Sequence, residues 1–182
     1  MKTIVVEHKC RDIFGQIPEI TLNKTYSGKP YFGWGNKKEL VKHILLLSES
    51  NDDVYPLIWL LPSKDNYTDN GLINTKDCVI IIAVRNTNED QLNSIRWQKS
   101  FDLVLDPMSN FVIEGLMTST VSRITDGEWT IERFTDYSDE EEKGGDNEKE
   151  NATIDLWDAI RFEASVEFTN ECLKTITWQT NQ

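Results

Sequence analysis

The clearest alternation of apolar and polar positions lies near the end of the chain, between Ile154 and Thr169. Ile160, Phe162, Ala164, Val166 and Phe168 interleave with Arg161, Glu163, Ser165, Glu167 and Thr169. A repeat of two puts all the apolar side chains on one face of a strand and the polar ones on the other. Such a strand belongs to an antiparallel sheet covered on one side. It is longer than the usual five or six residues or so, which predicts that part of it pairs with or packs on something beyond a small core. Cys78–Val84 is continuously apolar and rich in β-branched residues, as in a strand buried on both faces. Val54–Leu61 reads as a further strand, with Pro56 at its start or at a sheet edge because proline donates no ladder hydrogen bond. Val121–Tyr137 predicts a hairpin turned at Asp126-Gly127, with Trp129, Ile131 and Phe134 as its apolar contacts. Thr3–Val6 is a short β-prone run, and Leu173–Gln182 is expected to extend the final strand through Ile176 and Trp178.

Helical spacing appears in two places. Leu40, Val41, Ile44, Leu45 and Leu47 form one stripe over Lys37–Ser48. Asn36 stands before it and Glu39 three residues later, the pattern of a reciprocal capping box. From Gln91 to Ser119 the residues Trp97, Phe101, Val104, Leu105, Met108, Phe111, Val112 and Leu116 keep one face apolar. Pro107 interrupts this stretch, so it is one kinked helix or two helices meeting near Asp106. Strands in pairs with helices between the pairs predict an α+β fold: an antiparallel sheet of about four strands with helices packed on one face.

Asn23–Gly35 is dotted with Gly28, Pro30, Gly33 and Gly35 and reads as a loop. It carries Tyr31, Phe32 and Trp34 beside Tyr26, either as an exposed anchor for a partner or folded back on the core. The division is then an N-terminal arm and aromatic loop over 1–35, followed by one α+β domain over 36–182. Within that domain Asp136–Glu150 holds eight acids against Lys143 and Lys149, which is half of the chain's formal net charge of −12. With Gly144-Gly145 at its centre, 136–150 is expected to be a flexible, self-repelling insertion.

The charge narrows the function. A chain of 182 residues at −12 lacks the basic surface that phosphate contacts need, and equally the surface that an anionic membrane attracts. No apolar run is long enough to span a bilayer, and Met1–Cys10 has too few apolar residues for a secretory signal. Cys10, Cys78 and Cys172 are odd in number and far apart, which fits free thiols in a reducing compartment. His8 and Cys10 form one weak metal-ligand pair. No phosphate-binding glycine loop and no nucleophile elbow occur, and paired acids such as Asp155 and Asp158 follow from composition alone. These readings point away from an enzyme, a metal centre or a cofactor.

Several segments together resemble the tail terminator and tail completion proteins of tailed bacteriophages. They are Val54-Tyr55-Pro56-Leu57-Ile58-Trp59-Leu60 after a short amphipathic helix, Cys78–Val84, Arg96-Trp97 at the head of a long helix through Leu116, and Asp155-Leu156-Trp157-Asp158-Ala159-Ile160. The resemblance spans residues 36–172, and the pattern is similar to the neck ring proteins of crAss-like phages. The insertion at 136–150 and the aromatic N-terminal loop depart from the family pattern. The resemblance implies a sheet flanked by helices and a structural virion protein at the head–tail junction, made in the cytoplasm of the bacterial host. It also implies a homo-oligomeric ring of about six or twelve copies, next to other neck, portal or tail proteins, through which DNA passes without specific binding. In that setting Asp139, Glu140, Glu141 and Glu142 are expected to face the channel or a basic neighbour. Tyr31, Phe32, Trp34, Arg161, Glu163 and Glu167 are expected at contacts between subunits. An acidic inhibitor or DNA mimic bound to a basic host protein is the alternative. A small hydrolase using an unmarked cysteine or carboxylate comes third.

Overall fold

A computed structural model describes residues 4–23, 26–49, 55–68, 71–85, 93–137 and 157–178. In chain order the elements are α1 (Val6–Phe14), β1 (Ile20–Asn23), β2 (Tyr26–Gly28), β3 (Tyr31–Trp34), α2 (Lys37–Glu49), β4 (Leu57–Leu61), β5 (Asp65–Thr68) and β6 (Ile73–Arg85). Then follow α3 (Asn93–Trp97), a π-helical stretch Gln98–Leu105, α4 (Asp106–Thr118), β7 (Ser122–Ile124), β8 (Thr130–Tyr137) and β9 (Trp157–Thr169). The α+β class holds. The sheet, however, has seven strands among the described residues rather than about four, and it is mixed, because β3 runs parallel to β4.

The sheet is built on β6 and β9, which pair antiparallel from Ile73↔Thr169 to Arg85↔Trp157. The extra length of β9 is therefore matched inside the molecule. The other strands are two interrupted ribbons plus β3. β4 and β5 lie in succession along β6, with Leu61 opposite Val79 and Asp65 opposite Lys76. Four residues advance where β6 advances three, and one extra residue flips side chains to the opposite face. β7 and β8 likewise both pair with β9, Ile124 opposite Val166 and Thr130 opposite Glu163. The expected hairpin at Asp126-Gly127 is thus an outward excursion within one edge ribbon. Its two arms run in the same direction, and the turn residues read from the sequence (Asp126 at φ 59°, Gly127 at φ 68°) serve that detour.

Helices cover both faces, not one. On the first, α1 and the helical run ending in α4 bury Ile80, Ile82, Ile160, Phe162, Val166 and Phe168. On the second, a smaller cluster joins Leu40 of α2 to Leu57, Trp59, Ile81, Ala83, Trp157 and Ala159. The continuous apolar run in β6 is thereby explained, since Ile80–Ala83 is buried on both sides. The capping box forms: the Asn36 N–H donates to Glu39 Oε2 (2.7 Å) and the Glu39 N–H to Asn36 Oδ1 (3.0 Å).

Residues 4–34, set apart by the sequence pattern as an arm and loop, supply Ile4, Val6, Cys10, Ile13, Phe14 and Ile17 to the main core. Val6, Cys10, Ile13 and Phe14 are one helical stripe, so of the β-prone run Thr3–Val6, Ile4 and Val5 are in no strand, Val6 starts α1, and Thr3 lies outside the described residues. From Gln98 to Thr118 the helical path is continuous through π and α geometry, with Leu105 and Asp106 both helical. Asp106, which with Pro107 also reads as an N-cap and first-turn pair, is the first residue of α4 rather than its cap. The tail after Thr169 does not extend β9. It crosses the helices instead: the Ile176 N–H donates to Gln16 Oε1 (2.8 Å), and Trp178 meets Phe111 edge-on at 5.7 Å. Cys172, expected in a strand, is exposed on this tail.

Candidate functional site

Among the described residues, two groups gather several charged side chains. The first is under α1. Lys76 points from β6 into the helix-covered face and is 2 % exposed. Its ammonium donates to Glu7 Oε1 on α1 (2.8 Å) and to Asp65 Oδ1 on β5 (3.3 Å). Asn74, fully buried, donates to the same Asp65 oxygen (3.1 Å), while its own Oδ1 has no hydrogen-bond partner among the described residues. The one-residue slip between β4 and β5 is what turns Asp65 towards Lys76. Burial lowers the Lys76 pKa, but the hydrogen bond and charge of Glu7, followed by Asp65, outweigh it and hold the ammonium above its ordinary value. Cys10 and Cys78 lie beside this group. Burial, reinforced by their mutual influence in the case of Cys10, raises the Cys10 thiol well above its usual range and pushes Cys78 up to about 12. A protonated, buried thiol is a poor nucleophile, so the cluster is built to hold α1 on the sheet.

The second place is the half of the sheet's other face that, among the described residues, α2 leaves uncovered. There β6 presents Thr75, Asp77 and Val79, and β9 presents Arg161, Glu163, Ser165 and Glu167, all partly or fully exposed. Arg161 pairs with Glu163 along the strand, and Arg123 of β7 pairs with Glu167 (2.7 Å). Beside them the excursion Thr125–Trp129 rises from the edge ribbon. Between excursion and sheet lies a groove of about 660 Å³. Asp77, Asp126, Glu128 and Glu163 line it, with Trp129 as one wall and Val79 and Ser165 in the floor; the described lining holds no lysine or arginine. Trp129 is 39 % exposed.

The residues expected at subunit contacts divide. Tyr31 and Phe32 belong to β3 and turn inward: Tyr31 hydrogen-bonds His43, and Phe32 packs on Phe14 at 5.3 Å. Trp34 stays 41 % exposed, edge-on to His8. Arg161, Glu163 and Glu167 share the uncovered face. Asp139, Glu140, Glu141 and Glu142 lie outside the described residues. The sequence pattern missed Lys76 because it stands among polar residues, Asn74-Thr75-Lys76-Asp77, ahead of the apolar run at Cys78–Val84, so that Pro62–Asp77 reads as a polar loop, whereas β6 begins at Ile73. Its only signal was parity: Lys76 is in step with Cys78, Ile80 and Ile82.

No family model, no curated protein and no solved structure matches the chain. Among the described residues no helix is long and apolar enough to cross a membrane.

Proposed function

We propose that this protein is a structural subunit that assembles with copies of itself into a ring at the head–tail junction of a tailed bacteriophage. The observation that supports assembly is the state of the two sheet edges. Among the described residues β3 pairs only with β4 on one side, and β7 and β8 pair only with β9 on the other. Unpaired strand edges offer main-chain donors and acceptors to another chain. Two different edges on one molecule suit a head-to-tail contact, which closes into a ring when the rotation permits. The edges differ in how they are guarded. The β8 edge carries Glu132 and Arg133 and is broken by the excursion, whereas the β3 edge carries the exposed Trp34. The resemblance of residues 36–172 to tail terminator proteins supplies the phage setting. In this reading the chain carries out no catalysis and needs no cofactor. Its partners are other neck, portal or tail proteins.

The test is the solution mass of the full chain across a concentration series, followed by negative-stain imaging, for the wild type and for Trp34→Lys. Closed rings with a central hole, lost in Trp34→Lys, are expected. A monomer at every concentration that instead captures a basic host protein overturns the reading in favour of an acidic inhibitor.

A further inference from the structure

We propose that the tail after β9 is an exchangeable arm, and that in the assembly the surface of α1 and α4 receives residues 172–178 of a second copy in place of its own. This rests on the assembly reading above and names what one copy passes to the next.

The tail is held as a bound peptide is held. Residues 172–178 belong to no helix or strand. Among the described residues, no backbone group of 170–178 hydrogen-bonds to another backbone group. Side chains of other elements take that role. The Thr120 hydroxyl donates to the Cys172 carbonyl (3.1 Å) and accepts the Lys174 N–H (3.2 Å), and Gln16 Oε1 accepts the Ile176 N–H (2.8 Å). Engagement at every second residue is the periodicity of an extended chain. Ile176 and Trp178 add the apolar anchors. The Trp178 ring fits because residue 115 of α4 is glycine: a Cβ there would sit 3.0 Å from its Cη2. Glycine inside a helix costs stability, and here it opens the seat.

None of these partners lies on β9, which delivers the tail. The seat therefore does not depend on which copy supplies it, and exchange keeps every contact while altering only the link. That link, Asn170-Glu171, is exposed. It leaves the sheet one strand in from the β7 edge, where Phe168 pairs with Ser122. The nine residues from Thr169 to Trp178 reach about 30 Å when extended, enough to cross a boundary at that edge. A tethered neighbour's tail then competes at an effective concentration on the order of millimolar. The buried Trp178 indole N–H has no hydrogen-bond partner among the described residues, which weakens the hold and lets the tail leave.

The test mixes two full-length variants. Trp178→Ala spoils the tail and keeps the seat; Gly115→Leu fills the seat and keeps the tail. Neither can seat its own tail fully, and only exchange between them restores one complete pair. Melting curves check each fold, and Gln16→Ala/Thr120→Val replaces Gly115→Leu if that chain does not fold. Native mass spectrometry of isotopically distinguished variants is expected to show mixed complexes about tenfold tighter than those of either variant alone. Mixed complexes no tighter than the unmixed ones overturn the arm. If wild type and Trp178→Ala then form the same rings, the ring reading stands without it. Tight mixed complexes from a wild type that never closes into rings support the arm and overturn the ring.

Discussion

Gly33 is the position where one added carbon tests the second core most directly. It lies on β3 directly across from Trp59 of β4. A Cβ placed on Gly33 would sit 2.3 Å from Cζ3 and 2.6 Å from Cε3 of the Trp59 ring. Carbon atoms in contact settle near 3.5–4.0 Å, so ring or strand must move by roughly 1 Å. The ring is not free to do so: its Nε1–H donates to the Gly35 carbonyl (2.9 Å), and it is 2 % exposed among Leu40, Leu57 and Ile81. Gly33 has ordinary strand backbone, so alanine there gains about 0.5–1 kcal/mol from the restricted unfolded chain. Overpacking costs about 1–3 kcal/mol or somewhat more. Gly33→Ala is therefore expected to destabilise by about 2 kcal/mol, and to lower Tm by about 4–8 °C for a chain of this size. Urea unfolding of Gly33→Ala, Trp59→Leu and the double variant isolates the cause. Leucine does not reach across the strand, so the double variant should cost at least about 1 kcal/mol less than the two singles together. A Gly33→Ala protein as stable as the wild type, or singles that simply add, would refute the claim that the missing side chain makes room for the ring.

The remaining predictions concern polar groups. Lys76→Met leaves Glu7 and Asp65 without their cation; because these carboxylates are 26 % and 38 % exposed and can rehydrate, the cost is about 1–2 kcal/mol rather than that of a fully buried pair. Hydrogen exchange should quicken in α1 relative to β9, and uniform quickening would show that Lys76 does not anchor the helix. Lys76, Cys10 and Cys78 all hold their protons more tightly folded than unfolded. Their contribution is thus complete below the unfolded values, 9.0 for the thiols and 10.5 for the amine, and is lost as pH rises through the raised folded values, about 12 for Cys78. Denaturation at stepped pH should show stability falling from about pH 9 upwards, with a shallower fall in Cys78→Ala; an unchanged slope contradicts the assignment. Asn36→Ala removes one arm of the capping box and should cost about 1 kcal/mol, with Glu39→Ala adding less than its single effect because the two bonds are reciprocal. Additive losses in that pair would mean that the two bonds act separately.

What the sequence determined by itself was everything that depends on spacing within one segment. The alternation in β9, the doubly buried run in β6, the stripes of α2 and α4, and the Asn36–Glu39 box are all local, and each repeat is set by backbone geometry that does not wait for a partner. The α+β class follows from their order. Tertiary structure decided the rest. The sequence showed Asp126-Gly127 as a turn, but not that the strands on either side of it would both pair with β9. That depends on which long strand offers a free edge. One extra residue between Leu61 and Asp65 reversed the facing of Asp65 and so created the site for Lys76, an effect of register with no signature in composition. α1 escaped notice because nine residues offer only two turns of periodicity, and burial under a neighbouring sheet stabilises what propensity alone would not. The groove arises where the cluster under α2 stops short of the full length of β6 and β9. Asp77, Glu163 and Trp129 are brought together by that shortfall and by the detour in the edge ribbon, across separations of more than thirty residues that no local pattern could join.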